Sequence, residues 1–340
     1  VQQRTDEALR WSRQARLEID RLGLVDELPV GAYLNHLGDI HNAGGTYDQA
    51  LEAYEGALAI VEGALGPDHL SCAEYRLPIA HCQRARGDHD DALATLRRTL
   101  EILEHNLGPD HPRVANALSV LTGIHVARGE LDQALEVQRK AIDVGTRALG
   151  PEHPHVVNMV GNLGAVHWQR GSHAEALAAF ERVLAARRAQ HGPEHPALAE
   201  VHNKIGVAQL GLDRAEAALG SHQRALALTQ ALPPRHPERA RSLTNLANTQ
   251  VSLGRYPLAL ASSTKALAIW EDTVGNEHPE FANALFVQGD AHLGLGERET
   301  AAEVFERVLA IQRRVLGDAH PDVADTRARL ERCQATAQPQ

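Results

Sequence analysis

The sequence predicts an all-α protein, a solenoid of antiparallel helix pairs, and three observations carry that prediction. A short tag recurs, with histidines at His69, His111, His153, His195, His236, His278 and His320, so that its spacing is 42 residues except for one interval of 41. Between the tags, small and apolar residues fall into columns at helical spacing. Composition agrees, because the 340 residues are rich in Ala, Leu, Glu, Arg and Gln and only 4% are aromatic. A fixed period of this length marks a repeat architecture in which each unit buries its face on the next.

The tag is the first element, and it is punctuation. In Gly108-Pro109-Asp110-His111-Pro112 the glycine can take the left-handed conformation that ends a helix, and the proline after it cannot continue one. The second proline suits the first turn of the next helix, where its missing N–H is no loss. The form repeats at Gly66, Gly150 and Gly192, and in degraded versions at Pro234, Asn276 and Asp318. Pro233-Pro234 replaces the glycine where one residue is deleted.

Two helices are expected between successive tags. Gly45, Gly87, Gly129, Gly171, Gly254 and Gly296 mark the turn between them, and Asp213 fills the missing slot. Five residues on, Ala50, Ala92, Ala134, Ala176, Ala218, Ala259 and Ala301 form a column whose small side chain lets two helices approach. The facing column on the first helix is small as well: Gly38, Ala80, Thr122, Gly164, Gly206, Ala247 and Gly289. Leu51, Leu93, Leu135 and their equivalents, with Leu58, Leu100 and Ile142 one heptad on, supply the apolar stripe of the second helix.

Seven pairs are therefore expected, over residues 31–64, 73–106, 115–148, 157–190, 199–232, 240–273 and 282–315. Ala8 and Ala15 fall on the second-helix columns, so residues 1–22 are expected to hold the second helix of a truncated unit. Residues 320–334 read as a charged capping helix, which the last apolar face of a stack requires. On this pattern the chain is a piece cut from a longer protein at its N-terminus and naturally ended at its C-terminus. The exposed face of the truncated helix is a candidate for self-association.

The small, glycine, alanine and apolar columns resemble the tetratricopeptide repeat across nearly the whole chain. The 42-residue period and the Leu-Gly-Pro-Asp/Glu-His-Pro tag are similar to the repeats of kinesin light chains and their bacterial relatives. The resemblance implies a right-handed superhelix whose first helices line a concave groove. It further implies an extended peptide in that groove, held through its backbone by asparagines, for which the matching positions are Asn35, Asn162, Asn203 and Asn245, with Asn248 beside them. An amide offers both a donor and an acceptor to a peptide bond, and so reads backbone without fixing sequence. Repeats of this type also occur in larger signalling proteins, which implies an alternative role as the regulatory region of a serine/threonine kinase or switch ATPase with its catalytic domain upstream of Val1.

Charge and motifs narrow the function classes. The net charge of −10 argues against a nucleic-acid partner, which needs a basic stripe to displace counterions, and suits a basic peptide. No run of eighteen apolar residues is present, so no membrane span is expected, nor is a secretory signal visible. Three cysteines, Cys72, Cys82 and Cys333, are too few for a disulfide framework and point to a reducing, cytoplasmic setting. The preference for Arg over Lys, which stands only at 140, 204 and 265, is that of a GC-rich bacterial genome. Metalloprotease, nucleophile-elbow and phosphate-loop signatures are missing, so neither catalysis nor a cofactor is expected.

Twenty histidines raise the question of metal. The tag histidines read as cap residues, and a second column, His41, Gln83, His125, His167, Gln209, Gln250 and His292, reads as a half-buried polar ladder. Neighbouring units stand about 8–10 Å apart, whereas zinc needs its ligands about 2 Å from one ion, so no metal is expected. What remains is the groove, with a protein or peptide partner. Asn35, Asp39, Asn42, His81 and Arg84 form a polar mouth. The deeper column then turns apolar through Val126, Trp168, Leu210, Val251 and Leu293, joined by Phe286, as a strip exposed to a partner.

Overall fold

The computed structural model describes residues 28–318 and 320–335, together with residues 8, 10, 12, 14, 15, 17 and 21. The helix expected over residues 1–22, and the self-association surface assigned to it, lie outside the described residues apart from those seven, which are helical. The described residues contain helices and turns and no strand. They fall into two compact units, residues 1–170 and 171–340.

The first unit holds α1 (Leu28–Ala43), α2 (Tyr47–Leu65), α3 (Leu70–Arg86), α4 (His89–Leu107), α5 (Pro112–Ala127), α6 (Leu131–Leu149) and α7 (Pro154–Gln169). The second holds α8 (His173–His191), α9 (Leu198–Gly211), α10 (Ala215–Leu228), α11 (Pro237–Ser252), α12 (Tyr256–Thr273), α13 (Pro279–Gly294), α14 (Arg298–Leu316) and α15 (Pro321–Gln334). Within each unit every helix packs on the next along the chain, the antiparallel stack of a solenoid.

The tag acts at both of its ends. All seven tag histidines accept, at Nδ1, the backbone N–H two residues on, at 3.2–3.3 Å; six of them cap the first turn of the following helix, whereas His195 stands three residues before α9 and closes the turn that leads into it. That bond fixes the proton on Nε2. The tag glycine departs from the expected left-handed helical conformation: Gly108 has φ 84° and ψ 158°, a region that only glycine occupies readily. Gly87, in the turn inside a pair, is the true left-handed cap at φ 96° and ψ 4°. Where Pro233 stands in place of the tag glycine, α10 ends early and Thr229–Ala231 winds as a 3-10 turn, which takes up the missing residue.

The small columns make room for side chains rather than for backbones. In the first unit the Tyr54 ring lies against Gly38, where an added β-carbon would stand 2.5 Å from it. In the second unit His222 lies on Gly206 at 2.5 Å and Phe305 on Gly289 at 2.8 Å. Where the first-helix residue is larger, the residue sixteen positions on is no longer a ring: Ala80 is matched with Leu96, and Thr122 with Gln138. Tyr54, Leu96 and Ile124 are fully buried in the first unit, as are Phe305 and nearly all of Trp270 in the second.

The ladder at residue 41 and its equivalents uses two chemistries. Where it carries Gln, the side chain accepts a hydroxyl from the second helix: Thr95 to Gln83 at 2.9 Å, Ser221 to Gln209 at 2.8 Å and Ser262 to Gln250 at 2.9 Å. At three of the four His positions, Nδ1 turns to the residue that opens the second helix: Thr46 for His41 at 2.9 Å, Glu130 for His125 at 2.7 Å and Glu297 for His292 at 2.6 Å. The hydroxyl position then becomes apolar, as at Ala53, Val137 and Val304.

Candidate functional site

In the first unit α3 meets α5, α7 bonds to α5, and the three helices line a cleft of about 470 Å³. His81 and Arg84 of α3 form one wall, Asn116, Ser119, Val120 and Val126 of α5 the floor, and Asn162 and Gln169 of α7 the far wall. Four of the expected groove residues, His81, Arg84, Val126 and Asn162, are thus brought together. No Asp or Glu lines the cleft.

Among the described residues, Arg84 is the one Arg or Lys that lines it. The side chain is half-buried and runs beside Gly123, where a β-carbon would stand 3.9 Å from its Cδ and Nε. No carboxylate pairs with it among the described residues. The arginines two residues further along each chain segment are committed: Arg86 to Asp48 and Asp88, Arg128 to Asp90 and Glu130, and Arg170 to Asp132. Crowding by the cleft walls, and after it the Arg84 charge, pushes His81 below the usual imidazole pKa. Asn162 donates to Ser119 Oγ at 3.3 Å, which leaves its carbonyl and second N–H available to an occupant. Val126 packs with Ala134, Leu135 and Val166 below and presents its upper edge to the cleft.

The other expected residues of the first unit lie apart from this cleft. Asp39 accepts the Tyr54 hydroxyl at 2.8 Å, and burial together with that carboxylate raises the Tyr54 pKa far above the phenol range. Asn42 accepts from the Cys82 thiol at 3.5 Å. Asn35 and Trp168 are half-buried and are not among the cleft walls.

The second unit corrects several expectations. Asn203 is only 3% exposed; its amide donates to Glu238 at 3.0 Å and Ser242 Oγ at 2.9 Å, and its carbonyl meets His222 Nδ1 at 3.3 Å. An amide so engaged has nothing left for a peptide. Lys204 beside it is bound to Glu200 at 2.6 Å. Phe286 stands edge-on to Phe305, ring centres 5.5 Å apart, under the Arg329 guanidinium at 5.6 Å, so the capping helix covers it. Val251 and Leu293 line a smaller cleft of about 250 Å³ with Tyr256 and the ion pair Asp290–Arg329 at 2.8 Å. Leu210 and Asn245 are half-buried, and Asn248 is exposed on α11.

The apolar column is therefore no exposed strip, since Val126, Trp168, Leu210, Val251 and Leu293 are each half-buried. The large apolar residues that do stand exposed include Leu258 and Leu295, at the turn edge. Sequence reasoning missed Ser119, Val120, Gly123 and Gln169. The 42-residue register carried the signal, because Ser119 and Gly123 repeat the positions of Leu77 and His81 on the neighbouring first helix. No cluster of three or more His, Cys, Asp or Glu side chains suited to a metal occurs among the described residues. Among them, no helix is long and apolar enough to cross a membrane.

Comparison with known proteins agrees with this architecture. The nearly identical TPR-like repeats of a Podosopora anserina kinesin light chain type align at 23% identity and a TM-score of 0.50, over 61% of this chain and 98% of that one. BtubC (BKLC) from P. vanneervenii aligns at 20% identity and 0.56, over 68% and 91%. Yeast Tom70 aligns at 14% identity and 0.61, over 98% and 61%. Likeness at these identities concerns the fold. No curated protein matches the sequence. The tetratricopeptide repeat profile matches in overlapping windows over residues 30–105, 75–147, 123–189, 155–231, 210–272 and 238–314. Repeat columns, capped helix pairs and profile together place this chain in the tetratricopeptide repeat family.

Proposed function

We propose that the chain is a protein-interaction scaffold whose α3–α5–α7 cleft grips an extended, acidic segment of a partner protein. One observation carries the reading: Arg84 is half-buried and, among the described residues, has no carboxylate partner and no acid beside it in the cleft. A charge kept partly out of water is costly until it is paired, so the cleft favours an occupant that brings a carboxylate. Asn116 and Asn162 flank the position on two helices and offer amides to the occupant's backbone, while Val120 and Val126 suit an apolar neighbour of the acidic residue.

The net charge of −10 on its own suits a basic peptide, but a diffuse field is screened within about 8–10 Å at physiological salt, whereas Arg84 acts at contact. The three cysteines are buried free thiols, which fits a reducing, cytoplasmic setting. The test is an array of extended peptides that differ at one position in Glu, Gln or phosphoserine, probed with the full chain. Glu is expected to exceed Gln about tenfold or more, and Arg84→Gln to erase that difference. Equal retention of Glu and Gln peptides would overturn the acidic reading. Binding indifferent to Val126→Asp as well as Arg84→Gln would remove the cleft itself.

A further inference from the structure

His222 on α10 is fully buried, and no other repeat carries a histidine at its position: Tyr54, Leu96, Gln138, Phe180, Ser263 and Phe305 stand there instead. Its ring lies flat against the Gly206 backbone of α9, where even a β-carbon would collide. One nitrogen, Nδ1, meets the Asn203 carbonyl at 3.3 Å. The other, Nε2, is buried without any hydrogen-bond partner. A neutral ring tolerates this, as Nδ1–H donates to Asn203 and Nε2 carries only a lone pair.

Asn203 links this slot to the neighbouring pairs. Its amide crosses from α9 to Ser242 and Glu238 of α11, Glu238 pairs with Arg241 at 2.9 Å, and Arg241 reaches Glu280 of α13 at 3.2 Å. A single hydrogen-bonded line therefore joins the slot of the fifth pair to the first helices of the sixth and seventh. The charged groups closest in this line are Glu238 and Arg241 from α11, with Glu200 and Lys204 on α9, and Glu238 is reached only through Asn203.

We propose that His222 and Asn203 form an acid-operated joint between the fifth and sixth helix pairs, closed while the ring is neutral and opened when Nε2 takes up a proton. A second N–H at Nε2 would have no acceptor, and a charge there would have no counterion in contact, so protonation drives the ring out of its slot and takes the Asn203 carbonyl contact with it. Burial holds the His222 pKa down at about 4, against 6.5 for a free side chain. The opened form therefore binds the proton first. Closure is fully favoured above pH 6.5 and is lost as pH falls toward 4.

Hydrogen exchange of the full chain at pH 7 and pH 5, corrected for intrinsic rates, tests this. From those two pKa values, opening across α9–α11 is expected to rise about twentyfold, with no matching change in α3–α6. His222→Phe, which copies the Phe305 and Gly289 pairing, should abolish the rise. Independently, imidazole NMR of the unmodified chain should show His222 still neutral at pH 5. An equal rise in both regions, a rise that survives His222→Phe, or ordinary titration of every histidine would each overturn the joint. Should the variant not fold, the exchange map and the NMR titration of the unmodified chain decide the matter.

Discussion

A single imidazole nitrogen sets where six of the helices begin. The tag histidine bonds the backbone N–H two residues on through Nδ1, the task that Ser, Thr, Asp or Asn performs at most helix starts. His111→Ala should cost about 1 kcal/mol in chemical denaturation, and His111→Asn much less, because the amide oxygen restores the cap. Equal losses for both would show that the ring matters for packing and not for its lone pair. The cap was legible in the sequence from position alone, between a helix-ending Gly-Pro and a helix-starting Pro. Asn203 was not: on a helical wheel it shares its slot with Asn35, and only the neighbouring Ser242 and Glu238 reveal that its amide is consumed.

At the scale of the helix pair, packing is settled by correlated choices. Gln at the ladder position comes with a hydroxyl twelve residues on, and His comes with an apolar residue there and an acceptor five residues on. Thr95→Val should therefore destabilise the chain by about 1 kcal/mol, since it strands the half-buried Gln83 carbonyl. Adding Gln83→His should recover most of that loss by moving the second pair to the His125 and Val137 pattern, with Asp88 as the acceptor. Additive losses in the double mutant would refute the pairing. This correlation was present in the sequence, yet columns read one at a time do not show it. A repeat column can be read by itself because it recurs from unit to unit, whereas the cleft depends on four or five residues that occur once.

Across the whole molecule, stability should follow the logic of a stack, in which each pair is supported by its neighbours. The capping helix α15 shields Phe286 through Arg329 and closes over Phe305 with Cys333. A chain ending before α15 should lose exchange protection first in α13 and α14 and bind more of an apolar dye, while α3–α6 keep theirs. Uniform loss along the chain would mean that the units unfold together, contrary to a nearest-neighbour stack. The same independence explains how the Arg84 cleft and the His222 joint can sit in different units and be altered separately.

The tag glycine has a consequence of its own. A β-carbon at Gly108 would meet nothing within 4 Å, so the site has space to spare; what it lacks is tolerance of an L-configured α-carbon at φ 84° and ψ 158°. The constraint is one of handedness, and among the encoded residues only the achiral one escapes it. Pro233 shows the remaining way out: the glycine could be lost there because a residue was deleted and the preceding turn rewound, leaving Leu232 at an ordinary φ of −92°. A repeat of this kind cannot exchange its tag glycine by point substitution; it has to change its length.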